Sequence, residues 1–234
     1  MLDPFTIING ISSLIFVIIC IIVGFLIIIK YQKFKDKNFL YVGIGWIGLS
    51  EAWWSSSSSF IVALFNGTGL GDQAYLFIGN FFLPIFILLW LLAMEDLINL
   101  GKKHIIPIVF SICSAIYEIF FLYFLITDFT FLGKMQGPVD VNFSLLVIIY
   151  LFIALMIFFG TGIIFALKSL RTDDPRIKLK GKFLIIAFIS FLLGTAFDII
   201  ATNPITRAVL VLSTIFFYIG YILPPAIENL ILKK

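Results

Sequence analysis

Seven stretches of mostly apolar residues follow one another along the 234-residue chain, at 5–29, 39–65, 74–98, 105–127, 142–168, 183–202 and 208–231. About 20 such residues is what one helix needs to cross the hydrocarbon of a bilayer. Inside a bilayer every backbone polar group must be bonded within the protein, which leaves helices and closed barrels. Barrel strands alternate apolar and polar over about 10 residues, whereas these runs are continuous. The fold class read here is therefore all-α: a single domain, 1–234, forming a seven-transmembrane-helix bundle. Composition supports it, with 62% hydrophobic and 12% charged residues against about 45–50% and about 25% in soluble domains. That excludes a soluble globule, a disordered chain and a disulfide scaffold. The implied partner is a lipid bilayer and the expected location is the cell membrane, multi-pass.

Turn chemistry separates the runs. Asn66-Gly67-Thr68-Gly69-Leu70-Gly71 stands between the second and third, Gly137-Pro138 between the fourth and fifth, Asp173-Asp174-Pro175 before the sixth, and Asn203-Pro204 before the seventh. No connection is long enough for a soluble domain, and the chain is expected to close directly after its last span. The first run lacks a basic leader and is too long for a signal peptide, so it is expected to remain as a helix. Lys and Arg set the orientation. Lys30, Lys33, Lys35, Lys37, Lys102, Lys103, Lys168, Arg171, Arg176, Lys178, Lys180, Lys182, Lys233 and Lys234 fall on one side, and Lys134 and Arg207 on the other. By the positive-inside rule the N-terminus is expected outside and the C-terminus in the cytoplasm. These cations mark topology and anionic lipid, so no nucleic acid is expected as a partner.

The outer triplets of helices look alike. Gly24–Lys30 and Gly162–Lys168 each end a helix before a basic connection, and Gly79 with Pro84 answers Gly220 with Pro224. A 3+1+3 parallel repeat around a linker helix is the architecture of some small-solute transporters; composition alone also makes apolar helices resemble one another.

Three acids fall within the spans: Glu51, Glu118 and Asp198. A charge at that depth is costly and marks a candidate site. Glu51, Trp54, Ser55 and Ser58 follow the i, i+3, i+4, i+7 pattern and share one helix face. That face offers a carboxyl, an indole N–H and hydroxyls to a ligand or ion. Asn80 beside Pro84 joins the candidates at a break in the hydrogen-bond ladder. The blander readings are a buried protonated acid, serines that only pack, and an Asp198–Arg207 ion pair across the Asn203-Pro204 turn. Trp53 and Trp54 lie too deep for an interfacial belt, which points to a packed or pocket role. Asn66-Gly67-Thr68 is a glycosylation sequon, and Asn142-Phe143-Ser144 is a second one hugging the membrane.

Other chemistry lacks its residues. The seventh run has no Lys for a retinal Schiff base, and one His, His104, beside two Cys cannot build a zinc or haem site. With no nucleophile elbow, metalloprotease motif or phosphate loop, an enzyme is not expected, nor any cofactor or metal. Ser50-Glu51-Ala52-Trp53-Trp54-Ser55-Ser56, Ile78–Pro84 and Gly137–Asp140 resemble a seven-helix integral membrane family of Asgard-type archaea. That resemblance implies seven helices and carries no activity. In layout the chain also resembles the seven-helix sensor regions of prokaryotic histidine kinases, from which it is expected to depart in having no output domain after Lys234. The leading expectation is a receptor-like or sensor-like protein with a polar intramembrane pocket for a small molecule or cation, signalling to a cytoplasmic partner at loop 168–182. The alternatives are a small-solute or ion transporter and a structural membrane subunit.

Overall fold

The structure, a computed structural model, describes residues 2–98, 104–200 and 203–232. Its elements run α1 (Pro4–Phe34), α2 (Asn38–Gly48), a 3-10 turn (Glu51–Trp53), α3 (Trp54–Asn66), α4 (Asp72–Asn80), α5 (Leu83–Ile98) and α6 (Ile105–Thr127). After a hairpin of β1 (Gly133–Met135) and β2 (Val141–Phe143) come α7 (Leu145–Leu170), α8 (Pro175–Ile200), α9 (Pro204–Ile222) and α10 (Pro225–Leu232). The protein is an all-α bundle, and six stretches are long and apolar enough to cross a membrane: Pro4–Phe34, Asp72–Ile98, Ile105–Thr127, Leu145–Leu170, Pro175–Ile199 and Pro204–Ile222. It is a polytopic membrane protein. Its outward surface fits that solvent, with Ile119, Ile126, Leu145 and Phe152 all exposed. Lys102, Lys103, Lys233 and Lys234, placed with the cytoplasmic cations by sequence, and Ala201 and Thr202 of the sixth run lie outside the described residues.

The expected continuous helix 39–65 is interrupted. Ser50 Oγ donates to the Ile47 carbonyl at 2.6 Å, and the Trp54 indole N–H donates to Ser50 Oγ at 2.9 Å. A hydroxyl that takes a helix carbonyl offers the chain an alternative to the next helical turn, and a 3-10 turn follows. The run 74–98 breaks as well, between Asn80 and Leu83. Pro84 has no N–H for the Asn80 carbonyl, and its ring crowds that position. The last run divides at Leu223, where Pro224 and Pro225 deny donors to the preceding turn; Lys180 Nζ serves the Tyr221 carbonyl at 3.1 Å instead. The fifth run starts later than expected, at Leu145, because Val141–Phe143 form β2.

Basic side chains gather at one end. Lys168 Nζ donates to the Ile98 carbonyl at the end of α5, Arg176 pairs with Glu228 at 2.5 Å, and Phe39 at the start of α2 meets Tyr221 of α9 edge-on. At the opposite end Arg207 of α9 donates to the Asn9 carbonyl of α1, and Gln73 of α4 to the Leu125 carbonyl of α6. Between them lies an aromatic layer: Trp46 stacks on Phe217 at 3.5 Å, Phe158 lies 4.6 Å from Trp90, and Phe188 and Phe191 close round them. The Trp90 indole N–H is satisfied by Thr161 Oγ1 at 3.0 Å.

Two close approaches rest on glycine. Gly24 and Gly43 let α1 and α2 touch, since a Cβ on either would lie 2.7 Å from the other's carbonyl oxygen. Gly79 does the same for α3 and α4, its missing Cβ falling 2.6 Å from Ser55 Oγ. Gly220 instead faces Leu184. Gly220, which answers Gly79 in the sequence, thus meets a leucine where Gly79 meets a serine.

Candidate functional site: a polar cavity beneath the hairpin

A cavity of about 150 Å³ opens in the half of the bundle opposite the basic end. Its walls come from α3 and the preceding turn, α4, α5, the hairpin, α7, α8 and α9. Leu49, Ala52, Trp53 and Ser56 supply one wall at i, i+3, i+4, i+7 spacing, Tyr75 another, and Phe191 and Leu155 border the aromatic layer.

Its polar floor is a clamp on Asp198. The Trp53 indole N–H donates to Oδ2 at 2.9 Å, and the Thr206 hydroxyl to Oδ1 at 2.6 Å. Arg207 Nε lies 3.7 Å from Oδ1, while Nη1 donates to the Asn9 carbonyl and to Ser13 Oγ of α1. Arg207 is 2% exposed. A charge that deep needs a counter-charge and hydrogen bonds; α8 provides the counter-charge and α1 two acceptors for Nη1, while Nε has no hydrogen-bond partner among the described residues. Asn203 starts α9 by accepting from the N–H groups of Ile205 and Thr206, which fixes Arg207 one turn into the helix.

Its roof is held by serines. Ser56 Oγ donates to the Val139 carbonyl at 2.9 Å, Tyr75 Oη donates to the same carbonyl at 3.0 Å, and the two hydroxyls are 2.7 Å apart. Ser59 Oγ bonds the Pro138 carbonyl and accepts from the Leu70 N–H. The hairpin is thereby seated on α3, with Gly133 opposite Phe143 and Met135 opposite Val141. Asp140, Asn142 and Phe143 reach the cavity from it.

Among the sequence candidates, Asp198 alone lines this cavity. Glu51 sits at the break of its own helix and spans to the next: Phe82 N–H, in the gap between α4 and α5, donates to Oε1 at 2.7 Å. The carboxyl is fully buried, and its Oε2 has no hydrogen-bond partner among the described residues. Trp54 is tied to Ser50 and meets Phe86 edge-on. Ser55 lies against Gly79, and Ser58 is half-buried away from the cavity. Asn80 donates to the Leu76 carbonyl at 2.8 Å, its own Oδ1 unbonded among the described residues. Glu118 on α6 is half-buried within electrostatic reach of Glu51 and Tyr150. So Glu51, Trp54, Ser55 and Ser58 do not form one pocket-facing stripe: the 3-10 turn interrupts their helix, and the cavity belongs to the face carrying Trp53 and Ser56. Asn66 is exposed, and its side chain closes the following turn through Thr68, Gly69 and the Gly69 carbonyl.

Sequence reasoning missed Ser56, Tyr75, Asp140, Asn9 and Ser13 as members of this network. Thr6, Asn9 and Ser13 at helical spacing on α1 were the available signal. Among the described residues no three His, Cys, Asp or Glu side chains are grouped to hold a metal ion. No protein-family model matches the chain, and no curated protein matches it.

Proposed function

We propose that this chain is a sensor-like membrane protein that takes a small molecule into the cavity beneath the hairpin and relays its occupancy to a separate partner through the basic connection 168–182. In this reading α2, the 3-10 turn and α3 together make a seventh, interrupted span, with the N-terminus outside, the hairpin extracellular and the C-terminus in the cytoplasm of a cell. The observation that carries it is the relation of cavity to core. Phe191 borders the cavity and also touches Trp46 and Phe158 of the aromatic layer, at 5.9 and 5.3 Å. Below that level Trp46, Trp90, Phe158, Phe188 and Phe217 are all buried. A transporter requires a route through this layer, whereas a sensor requires only a pocket above it and packed side chains to transmit a shift.

The test is access. In a Cys20→Ala, Cys113→Ala background reconstituted in liposomes, Ala52→Cys lines the cavity and Ala187→Cys lies in the aromatic layer. A charged thiol reagent should modify position 52 from the hairpin side only and position 187 from neither side. Modification of position 52 from the basic side would replace the sensor reading with a transporter.

A further inference from the structure

We infer that Glu51, Asn80, Tyr117 and Glu118 form a binding site for a dehydrated alkali-metal cation, set between the interrupted helices and α6. The site stands apart from the cavity, whose lining includes none of the four, and it does not depend on the sensor reading.

Each of the four brings a buried oxygen with nothing bonded to it among the described residues: Glu51 Oε2, Asn80 Oδ1, Tyr117 Oη, and both carboxyl oxygens of Glu118. The side chains of Glu51, Asn80 and Tyr117 are each more than nine-tenths buried. The fold gathers them. The 3-10 turn that carries Glu51 packs against α4. Asn80 lies one helical turn beyond Leu76, and Leu76 packs in one cluster with Tyr117 and Phe121 of α6. Tyr117 stacks on Tyr150 at 3.6 Å, and Tyr150 lies in the electrostatic field of both Glu118 and Glu51. The two carboxyls lie within reach of each other's field as well.

No cationic side chain of the surrounding elements answers these oxygens. From Asn38 to Ile98 and from Ile105 to Thr127 the chain has no Lys, Arg or His, and α7 has none before Lys168, about five turns from Tyr150. Lys134 on the hairpin is exposed, and Arg207 faces Asp198 and α1. The donors at hand are neutral. Tyr150 Oη donates to Ser114 Oγ at 3.1 Å and Asn80 Nδ2 to the Leu76 carbonyl at 2.8 Å, which leaves the Tyr117 and Ser114 hydroxyl protons and the second Asn80 amide proton. Such donors can bond a carboxylate and cannot balance its charge. The two carboxyls make no hydrogen bond to each other, so a single proton does not bridge them.

The helix breaks add oxygen at the same place. Pro84 offers no N–H to the Asn80 carbonyl, and the Ile85 N–H goes to the Phe82 carbonyl, so the Phe81 carbonyl in the gap receives no backbone donor either. The C-terminal, negative end of α4 points here. Unwound carbonyls and half-helix ends of this kind hold monovalent ions in discontinuous membrane helices. Ligand number and charge select the class. Calcium takes about six to eight oxygens, and magnesium keeps several of its waters, whereas the five unbonded side-chain oxygens here are buried. Desolvation also penalises a divalent ion far more than a monovalent one. One ionised carboxylate, one protonated partner and one alkali ion leave the site neutral.

The test is thermal unfolding of the full chain in detergent at constant ionic strength, with choline chloride replaced stepwise by sodium or potassium chloride. At least one of the two ions should raise the melting temperature, by about 3–6 °C for each tenfold rise above its dissociation constant. Glu51→Gln and Glu118→Gln should melt with wild type in choline and respond to neither ion. Tyr117→Phe loses one hydroxyl and should weaken the apparent affinity about fivefold, which keeps the test available if the glutamine variants fail to fold. Asp140→Asn, in the cavity, should keep the full response. Tracer dialysis with the responding ion should find one ion per wild-type chain and none on Glu118→Gln, which separates binding from a general salt effect. No response of wild type to either ion overturns the proposal, as does a response that survives Glu118→Gln. A response to calcium chloride alone overturns the monovalent assignment.

Discussion

Glu51 joins two interrupted helices, and replacing it measures what that junction is worth. Phe82 N–H sits where α4 has ended and α5 has not begun, so helix geometry gives it no acceptor, and Glu51 Oε1 takes that place at 2.7 Å. Phe82 itself is exposed, but exposure here is to lipid, where no water replaces a lost acceptor. Glu51→Gln keeps a carbonyl oxygen at the same reach and should change stability by less than about 0.5 kcal/mol. Glu51→Leu has similar bulk and no acceptor. Stranding a buried N–H costs about 1–3 kcal/mol, and hydrogen bonds within membrane proteins average about 0.6 with a maximum of about 1.7. The expected loss is therefore about 1–2 kcal/mol, or a few degrees of melting temperature for a chain of this length. The assay is thermal unfolding of wild type and both variants in one detergent and in choline chloride. If Glu51→Leu melts with Glu51→Gln, the junction does not depend on this bond and the helix breaks are held by Pro84 and Ser50 alone.

The remaining predictions concern the clamp, the roof, the N-terminus and the topology. Asp198→Asn and Arg207→Met should each destabilise by about 3–5 kcal/mol, because removing one member strands a buried charge, and the double variant should cost less than their sum in SDS unfolding; strict additivity would mean that the two do not interact. Ser56→Ala should cost about 0.5–1.5 kcal/mol and raise hydrogen exchange at 133–143, with Ser58→Ala, outside the cavity, as the neutral control. Asp3 caps α1: its carboxyl is held below the usual aspartate range by the Thr6 hydroxyl, helped by the N–H groups of Thr6 and Phe5. A depressed folded-state pKa stabilises above the unfolded value of about 3.9 and is lost as pH falls through the folded one. Melting curves of wild type should therefore converge on those of Asp3→Ala only in strong acid, and convergence near neutrality would refute the cap. In intact cells a cysteine at Thr68 or Gln136 should react with an impermeant label and one at Ser169 should not.

Sequence periodicity made the all-α bundle and most span positions legible, because apolar length is a direct reading of bilayer thickness. It could not show the interruptions. A hydroxyl bonding backward at Ser50 is a three-dimensional event with no signature beyond one serine among many. Pro84 marked its break, yet the donor it left without a partner, Phe82 N–H, was invisible until Glu51 was seen beside it. The Asp198–Arg207 pair was readable because a short turn joins its members. The partners Asn9 and Ser13, about 200 residues away in the chain, were not, since their packing against α9 is fixed by tertiary contact alone. Helical spacing gave the right pattern on the second run and the wrong face, because a phase argument presumes an unbroken helix.

The seating of the hairpin on the bundle separates attachment from chemistry. Ser56, Tyr75 and Ser59 grip the carbonyls of Val139 and Pro138, and every amino acid has a carbonyl. Side chains at positions such as Asp140, Asn142 and Phe143 can therefore be exchanged without loosening the grip, provided the Gly137 turn, with φ of 107°, is kept. The roof is thus an interchangeable part. Hairpins of the same length and different side chains, grafted between Leu132 and Ser144, should dock alike and present different walls to the same pocket, so ligand preference can drift or be redesigned while the bundle beneath stays constant.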